Sequence, residues 1–351
     1  MALAPCFIVP GPLDQRTGGY IYDRRIVEGL RAAGWTVAVH ELAGAVPMVD
    51  AAARRAALHA IEAMPRAAVP VIDGLALPAF ADLAARLPQP WVALVHHPLA
   101  LETGLTRVEA QAFADLERRL LAGAARVIAT SPGTRRDLAA YDLDPGRIGV
   151  VCPGTDPAPP VRGSAGPGLE LLCVASLTPR KGHLVLLEAL AELRALDWRL
   201  VCVGSAERDP ACAREVALAL DRLGLRASAQ LVGERGEAEL GPYYAGADLF
   251  VLASYHEGYG MAIAEALARG LPVVATTAGA IPETVPDGAG LLVAPGDPRA
   301  LAAALRRVMT EPGLRAELMA GARAARRRLP GWDDAAGAFA AELAQLARRA
   351  K

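Results

Sequence analysis

The sequence predicts an α/β protein of two doubly wound halves, each built as a parallel sheet covered by helices on both faces. Three observations lead to this prediction. Short apolar runs alternate with helical patterns along almost the whole chain, which is typical of βαβ units. A segment rich in proline and glycine interrupts this alternation near the middle. The length of 351 residues is sufficient for two domains of ordinary size.

The first half begins with an apolar strand over residues 5–10 and a loop over 11–19. The next helix, over about 20–33, shows an apolar stripe at helical spacing and ends at Gly34. The same criteria predict further strands at 36–40, 68–72, 91–96, 126–130 and 148–151, and helices at 51–64, 78–87, 106–121 and 133–140. Strands and helices that alternate in this way form a parallel sheet.

The interruption spans residues 153–168 and contains five prolines and four glycines, a composition typical of a flexible linker. We therefore expect a first domain over residues 1–160 and a second over 161–330, facing a cleft with strand carboxyl ends toward it. The second half predicts strands at 169–175, 199–203, 229–232, 248–253, 272–275 and 290–293, and helices at 181–195, 210–223, near 243, 261–269, 298–309, 314–327 and 332–349.

The composition indicates a globular protein and excludes some classes of function. Hydrophobic residues make up 53% of the chain, and the net charge is −1. A nucleic-acid-binding protein would show a basic bias or basic residues interleaved with aromatic ones, and neither is present, so we expect no nucleic-acid partner. The five cysteines are odd in number and include no Cys-x-x-Cys pair, which indicates reduced thiols and a cytoplasmic location.

No stretch predicts insertion into a membrane. The amino-terminal apolar run is too short for the core of a signal peptide, and no uncharged apolar run is long enough to span a bilayer. Arginine-rich patches lie at 323–328 and 348–349. They are consistent with a solvated helix face, which we favour, or with weak peripheral contact at the inner face of a membrane.

The most informative stretch is residues 255–266, which follows an apolar strand and leads into a helix. Gly258 and Gly260 allow the backbone to approach a ligand, and the helix start offers N–H groups and a dipole to an anion. Glu257 and Glu265 bracket this turn. A glycine loop at a helix start can bind phosphate, and carboxylates can accept hydrogen bonds from sugar hydroxyls. The stretch therefore predicts a nucleotide-sugar site. The alternative is a capping carboxylate with a solvated helix glutamate.

The two glutamates, with Gly-Tyr-Gly between them and Ala-Leu-Ala-Arg-Gly-Leu-Pro after them, resemble the Glu-x7-Glu hallmark of retaining GT-B glycosyltransferases of family 4, the glycosyl transferases group 1 type. The resemblance covers most of the chain and is strongest over residues 169–296. It implies the GT-B fold, with two Rossmann-like domains facing a cleft. It also implies that a final helix, over 331–351, packs back on the first domain.

The resemblance assigns roles to this stretch. Glu257 would contact hydroxyls of the donor sugar and take part in catalysis, and Glu265 would accept hydrogen bonds from the two ribose hydroxyls. Backbone N–H groups at the start of the following helix would hold the diphosphate. The loop residues concerned are Gly258, Tyr259, Gly260 and Met261.

A second motif, residues 175–183, follows the first strand of the second half. The family commonly has Gly-Arg, several residues and then Lys-Gly here, and the two cations clamp the diphosphate. Lys181 with its following glycine matches this pattern, whereas Ser176 replaces the arginine and brings no charge. Arg180 is a candidate for the missing cation, because cations at a helix start are unfavourable unless an anion joins them. An ordinary basic helix start is the alternative.

The first half carries two weaker motifs. Gly18 and Gly19 form a glycine loop after the first strand; the resemblance implies that it reaches the donor diphosphate, and a tight turn is the alternative. His96 ends a strand and, by the resemblance, faces the donor sugar, with His97 as the alternative. The loop that follows would shape the acceptor pocket, with His97 and Glu102 as acceptor contacts.

The resemblance implies that the nucleobase lies at one strand end of the second half. Gly233 and Glu234 follow the strand at 229–232, where the family holds the base largely through backbone contacts. Such contacts are not visible in residue types, so the identity of the base stays open.

We therefore predict a glycosyltransferase that moves a sugar from a nucleotide-diphosphate donor to an acceptor hydroxyl, with Glu257, His96 and Lys181 in catalysis. No cofactor or metal is expected, because the sequence has no Asp-x-Asp and no His/Cys/Asp cluster at metal-ligand spacing. A UDP-sugar is favoured over a GDP-sugar by family frequency; the acceptor is a glycan, a lipid-linked molecule or a small molecule. The alternatives are a nucleotide-sugar 2-epimerase and a catalytically silent nucleotide-sugar-binding subunit, which the replacement at Ser176 would support.

Overall fold

A computed structural model describes residues 4–65, 67–164, 166 and 168–349 of the chain. The chain divides into two compact units: the first contains residues up to Gly154 together with those from Pro330 onward, and the second contains Thr155–Leu329. The division near the middle therefore falls at 154/155, whereas the sequence placed it at 160/161.

The first unit is a six-stranded parallel sheet flanked by helices. Its order is β2-β1-β3-β4-β5-β6 once the strands are numbered along the chain. Phe7 on the first strand lies opposite Val39 on one side and Val71 on the other. The elements are β1 (Ala4–Val9), α1 (Gly18–Ala32), β2 (Ala38–Glu41), α2 (Ala51–Ala63), β3 (Ala68–Asp73), β4 (Val92–Val95), α3 (Arg107–Gly123), β5 (Arg126–Ala129), α4 (Pro132–Asp137) and β6 (Ile148–Val150).

The helix predicted at 78–87 does not form. The structure has two short 3₁₀ turns instead, Leu77–Phe80 and Ala84–Arg86. All four residues of the first turn are buried, so the segment is inserted in the core and has no solvated helix face. Leu87 precedes a proline and is extended, which ends any helix at that point.

The second unit is also a six-stranded parallel sheet, in the order β12-β11-β10-β7-β8-β9. The strand order reverses between β7 and β10, which makes their carboxyl ends a topological switch point, the usual place for ligands in open α/β sheets. The elements are β7 (Leu169–Val174), α5 (His183–Ala191), β8 (Trp198–Val203), α6 (Pro210–Arg222), β9 (Ala229–Leu231), α7 (Glu237–Gly246), β10 (Leu249–Leu252), α8 (Met261–Ala268), β11 (Val273–Thr276), α9 (Ile281–Thr284), β12 (Gly290–Val293), α10 (Pro298–Thr310) and α11 (Pro312–Ala325).

The proline-rich segment expected as a flexible linker is attached to the second unit over much of its described length. The Val161 amide donates to the Arg269 carbonyl at 2.8 Å, and the Ser164 amide donates to a carboxylate oxygen of Asp248 at 2.9 Å. These bonds explain why most of the segment belongs to the second unit. Residues 165 and 167 of this segment lie outside the described residues.

The final helix, α12 (Trp332–Arg349), belongs to the first unit. Phe339 is fully buried, and its ring centroid lies 5.5 Å from that of Phe7 on β1. A Cβ added at Gly29 of α1 would lie 2.5 Å from the Cβ of Ala336, so the two helices approach too closely there for any other residue.

Side-chain caps fix several helix starts. Asp50 accepts a hydrogen bond from the Ala53 amide at 2.7 Å at the start of α2, and Asp297 accepts one from the Ala300 amide at 2.9 Å at the start of α10. Among the described residues, no helix is both long enough and apolar enough to span a membrane.

Candidate functional site

Glu257 is the centre of the site in the second unit. Its side chain is almost wholly buried in the loop between β10 and α8. One carboxylate oxygen accepts hydrogen bonds from Lys181 Nζ and Ser254 Oγ, both at 2.6 Å. The Arg180 guanidinium lies 3.7 Å from the other oxygen. The structure thus brings the two predicted cations to the first predicted carboxylate.

The two cations of this cluster keep Glu257 ionised. Burial alone would raise the pKa of Glu257, but the neighbouring charges of Lys181 and Arg180 lower it to about 2. The pKa of Lys181 is lowered from its usual value, because burial and the charge of Arg180 outweigh the attraction of Glu257. Glu257 is therefore a carboxylate throughout the physiological pH range.

The cation-bearing turn differs from the sequence prediction. α5 begins at His183 and not at 181, because Pro179–Lys181 forms a 3₁₀ turn that Gly182 ends in the left-handed conformation, with φ of 66°. A Cβ at this glycine would lie 2.0 Å from the Ala253 carbonyl oxygen. This close approach holds the turn against the strand end that carries Glu257.

Backbone hydrogen bonds fix the two loops against each other. The Arg180 carbonyl accepts from the Tyr255 amide at 2.8 Å, and the Arg180 guanidinium donates to the His256 carbonyl at 2.8 Å. The Glu257 carbonyl accepts from the Ala280 amide at 2.9 Å. The carboxylate therefore sits in a preorganised frame.

The glycine loop leads directly into α8. Gly260 has a φ of 89°, a conformation that favours glycine, and it is the residue before the first helical turn. The Tyr259 carbonyl accepts from the Thr284 hydroxyl at 2.5 Å. Met261 begins the helix, and the start of a helix suits an anion because its first N–H groups lack the usual carbonyl partner one turn earlier. Gly258 lies in the same loop.

Glu265 lies one helical turn further along and is separately held. The Tyr244 hydroxyl donates to one of its carboxylate oxygens at 2.8 Å, and the Arg269 guanidinium lies over the Tyr244 ring at 4.3 Å. Burial raises the pKa of Glu265, while Tyr244 and Arg269 act in the opposite direction. The supporting tyrosine is on α7 and was not identified from the sequence, because 21 residues separate it from its partner.

Three predicted donor residues take no part in the Glu257 cluster. Ser176 follows β7, and its carbonyl accepts from the Thr178 amide at 2.8 Å. Gly233 follows β9 with a φ of 76°, and the exposed Glu234 is next to it. In a parallel sheet these strand ends lie along the same edge as Glu257.

The first unit brings together His96 and the glycine loop. α1 begins at Gly18, and a Cβ added at Gly19 would lie 3.4 Å from the His96 ring. His96 Nε2 lies 3.1 Å from a carboxylate oxygen of Asp23 and 3.0 Å from one of Asp73. Neither aspartate was identified from the sequence, although Asp73 is a charge at the end of an otherwise apolar, buried strand.

The predicted acceptor residues lie in the loop after β4. His97 Nε2 lies 3.2 Å from a carboxylate oxygen of Glu102. The loop is fixed by Glu117 of α3, whose side chain is buried and accepts from the Leu99 amide at 2.8 Å and from the Tyr141 hydroxyl at 2.6 Å. Glu117 was also missed, because its role depends on a packing contact between distant segments.

Within the described residues, two groups of three side chains bring potential metal-ligating atoms within 4.8 Å of one another: Cys173, His183 and Cys202, and Asp23, Asp73 and His96. Their members lie on separate elements, so spacing along the chain did not reveal them. In the first group, hydrogen bonding from Cys202 is the main reason that the pKa of Cys173 is lowered to about 5. In the second, the ring nitrogen is engaged in hydrogen bonding.

Family models match both halves of the chain. The model for Glycosyltransferase Family 4 matches residues 20–159, and the model for Glycosyl transferases group 1 matches residues 168–311. The D-inositol 3-phosphate glycosyltransferase of Xylanimonas cellulosilytica is 34% identical over 251 residues, covering 66% of this chain and 60% of that protein. The enzyme of the same name from Frankia alni is 36% identical over 228 residues, covering 59% and 55%. The chain thus spans about 60% or less of these relatives' length.

Solved structures show the same fold. Sucrose-phosphate synthase from Thermosynechococcus elongatus matches 99% of both chains with a TM-score of 0.81 and 24% identity. Anabaena HepE in complex with UDP-glucose matches 97% of this chain and 99% of its own, with a TM-score of 0.77 and 19% identity. Each unit is a six-stranded parallel sheet with flanking helices, and this pair of units matches the GT-B glycosyltransferase fold. From the family matches and this fold together, the chain belongs to glycosyltransferase family 4, within the group 1 glycosyl transferases.

Proposed function

We propose that this protein is a retaining glycosyltransferase that moves a sugar from a nucleotide-diphosphate donor to an acceptor hydroxyl. The observation that carries the proposal is the buried Glu257 cluster. A carboxylate with two cations stands at a topological switch point, beside a glycine loop and the start of α8. Such a site holds a phosphate and a sugar side by side.

Charge stabilisation on the leaving diphosphate would drive the reaction. Lys181, Arg180 and the first N–H groups of α8 supply positive charge and donors where negative charge develops. Arg180 takes over the charge that Ser176 lacks. The acceptor hydroxyl then enters on the face from which the diphosphate leaves, which retains the anomeric configuration. No metal or organic cofactor enters this scheme.

Glu257 and Glu265 bind different parts of the donor. Glu257 takes the sugar, because its second oxygen lies 3.7 Å from the Arg180 guanidinium, beyond hydrogen-bond distance, and keeps acceptor capacity. Glu265 takes the ribose, because Tyr244 occupies one oxygen and the other remains for the vicinal hydroxyls. Gly233 and Glu234 would lie near the base.

A UDP-sugar is the donor that the comparisons favour. HepE, which shares the fold, was solved with UDP and with UDP-glucose. The acceptor carries a hydroxyl, and relatives named for inositol 3-phosphate make a small polar acceptor a reasonable first trial. A cytoplasmic location fits the five cysteines, none of which forms a disulfide. Peripheral membrane contact is less favoured, since the Arg326 guanidinium donates to the Ala158 carbonyl at 2.7 Å.

Replacing Glu257 tests the proposal. Glu257→Gln should lower kcat by about 100-fold or more while UDP-sugar binding is retained, because the neutral amide cannot stabilise the positive charge that develops on the donor sugar as the diphosphate leaves. Glu215→Gln, an exposed glutamate on α6, is the matched control and should leave kcat unchanged. Turnover is followed by release of UDP from a panel of UDP-sugars with polar acceptors.

The same assay separates the alternatives. Conversion of the donor into its epimer, in the absence of an acceptor, would identify a 2-epimerase. Donor binding without turnover, in both the wild type and the variant, would identify a silent binding subunit and would contradict the proposed transfer.

A further inference from the structure

A buried cluster of three ionisable side chains lies in the first unit beside the glycine loop. Asp23 comes from α1, Asp73 ends β3, and His96 follows β4. The two aspartates are 1% and 4% exposed, and the histidine side chain is 20% exposed. Both carboxylates approach the same ring nitrogen, Nε2, at 3.1 and 3.0 Å. The proposed transfer uses neither aspartate.

This geometry fixes the hydrogen on the ring. At least one of the two carboxyl groups is ionised and can only accept, so Nε2 carries its hydrogen toward that carboxylate. With Nε2 protonated, a neutral ring would have only a lone pair at Nδ1. Even with one proton shared between the two carboxyl groups, a neutral ring would leave an uncompensated negative charge in the interior, which is strongly unfavourable. A positive ring removes that charge.

The surroundings hold Asp73 and His96 in place. The Leu75 amide donates to Asp73 at 2.6 Å, so that side chain is fixed as an acceptor. The hydroxyls of Thr130 and Thr134 donate to the His96 carbonyl at 3.1 and 3.0 Å. The Tyr22 ring meets the imidazole edge-on at 5.3 Å.

The pKa shifts of His96 and of the ionisable groups around it are consistent with a positively charged ring. Burial raises the pKa of Tyr22 well above its usual value, which keeps its hydroxyl neutral. Burial and then the charge of Asp73 raise the pKa of Asp23 to about 7, so the two carboxylates share a proton near neutrality. Burial would lower the pKa of His96, but the two aspartates outweigh it and raise the pKa to about 10.

We propose that Asp23 and Asp73 are positioning residues that keep His96 as an imidazolium and thereby make its Nδ1–H a permanent hydrogen-bond donor to the substrate. No residue in the described part of the chain hydrogen-bonds Nδ1, while the ring keeps access to solvent. Its partner is an oxygen that accepts, in a sugar hydroxyl or a phosphoryl group. The role of this donor in turnover rests on the proposed function.

The charge state is tested directly by NMR of the full-length protein. The ring resonances of His96, assigned through their loss in His96→Gln, should report a protonated ring up to about pH 10. Asp73→Asn should shift that titration downward by more than about 1 unit, and Asp23→Asn should also lower it. His59→Gln, an exposed histidine on α2, controls for nonspecific effects of removing a histidine.

Kinetics test the link to the substrate. The kcat of the wild type should fall on the alkaline side only near pH 10, and Asp73→Asn should move this fall toward neutrality and lower kcat at pH 8.5 by about 10- to 100-fold. A structural role alone would lower kcat without moving the pH profile.

Two results would overturn the proposal: a neutral His96 in the wild type at pH 8, or an unchanged titration in Asp73→Asn. The first is measured on the wild type, so a variant that fails to fold does not block the test. Absence of turnover in the wild type, with a high titration of His96, would instead contradict the proposed function.

Discussion

Lysine occurs at only two positions in this chain, 181 and 351, although lysine and arginine together number 37. One of the two stands in the candidate site, 2.6 Å from Glu257. A lysine is a compact point charge on a flexible stem, whereas an arginine presents a broad planar fork. The site thus uses a side chain that the rest of the sequence avoids, and this count is a signal that motif spacing alone does not give.

Glu265 provides the prediction at this scale. Glu265→Gln should weaken UDP binding by about 10-fold, because a hydrogen bond to a charged group contributes about 1.5 kcal/mol or more. The same variant should bind 2′-deoxy-UDP nearly as well as UDP, since the carboxylate is proposed to accept from both ribose hydroxyls. Calorimetry with both nucleotides measures the ratio, with Glu215→Gln as control.

A Glu265→Gln protein that still prefers UDP over the deoxynucleotide as strongly as the wild type would contradict this assignment of the ribose.

At the scale of elements, the turn between β7 and α5 determines where the cations lie. Gly182 takes a left-handed conformation. A Cβ added at this residue would lie 2.0 Å from the Ala253 carbonyl oxygen. The turn therefore depends on both the backbone conformation and the absence of a side chain. Any shift of this turn would move Lys181 and Arg180 together, because both lie in the 3₁₀ turn just before the glycine.

Gly182→Ala should lower the free energy of unfolding by more than about 2 kcal/mol and weaken donor binding. The left-handed conformation costs a residue with a side chain about 1–2 kcal/mol, and the clash adds to it. Gly224→Ala is a matched control, because Gly224 has a φ of 67° and nothing within 4 Å of an added Cβ. Urea unfolding gives both values.

Equal losses of stability in the two alanine variants would show that the contact with Ala253 is unimportant.

At the scale of the whole molecule, much of the fold was predictable from the sequence. Alternating apolar and helical patterns predicted two parallel sheets, and each has six strands. Segments with mixed signals were not predicted: residues 77–80 are buried 3₁₀ turns, and the proline-rich segment is hydrogen-bonded to the second unit. In these places tertiary contacts override local preference.

The same distinction holds for the site. Glu257 and Lys181 were identified because a strand, a glycine loop and a helix follow one another along the chain. Asp23, Asp73 and Tyr244 were not, because their partners lie 21 or more residues away and only the folded sheet brings them together. The family resemblance identifies the motif residues that the chain shares with the family. It does not identify the residues that support them through contacts in the folded protein.

Calorimetry of UDP binding to the wild type and to Lys181→Gln tests the central claim most directly, with Arg199→Gln, an exposed position on β8, as the control. The claim is that the edge of the second sheet binds a nucleotide diphosphate through this lysine. UDP should bind the wild type at one site, and Lys181→Gln should weaken binding by about 10- to 100-fold, while the control leaves it unchanged. Equal affinity in Lys181→Gln, or no binding by the wild type, would contradict the account.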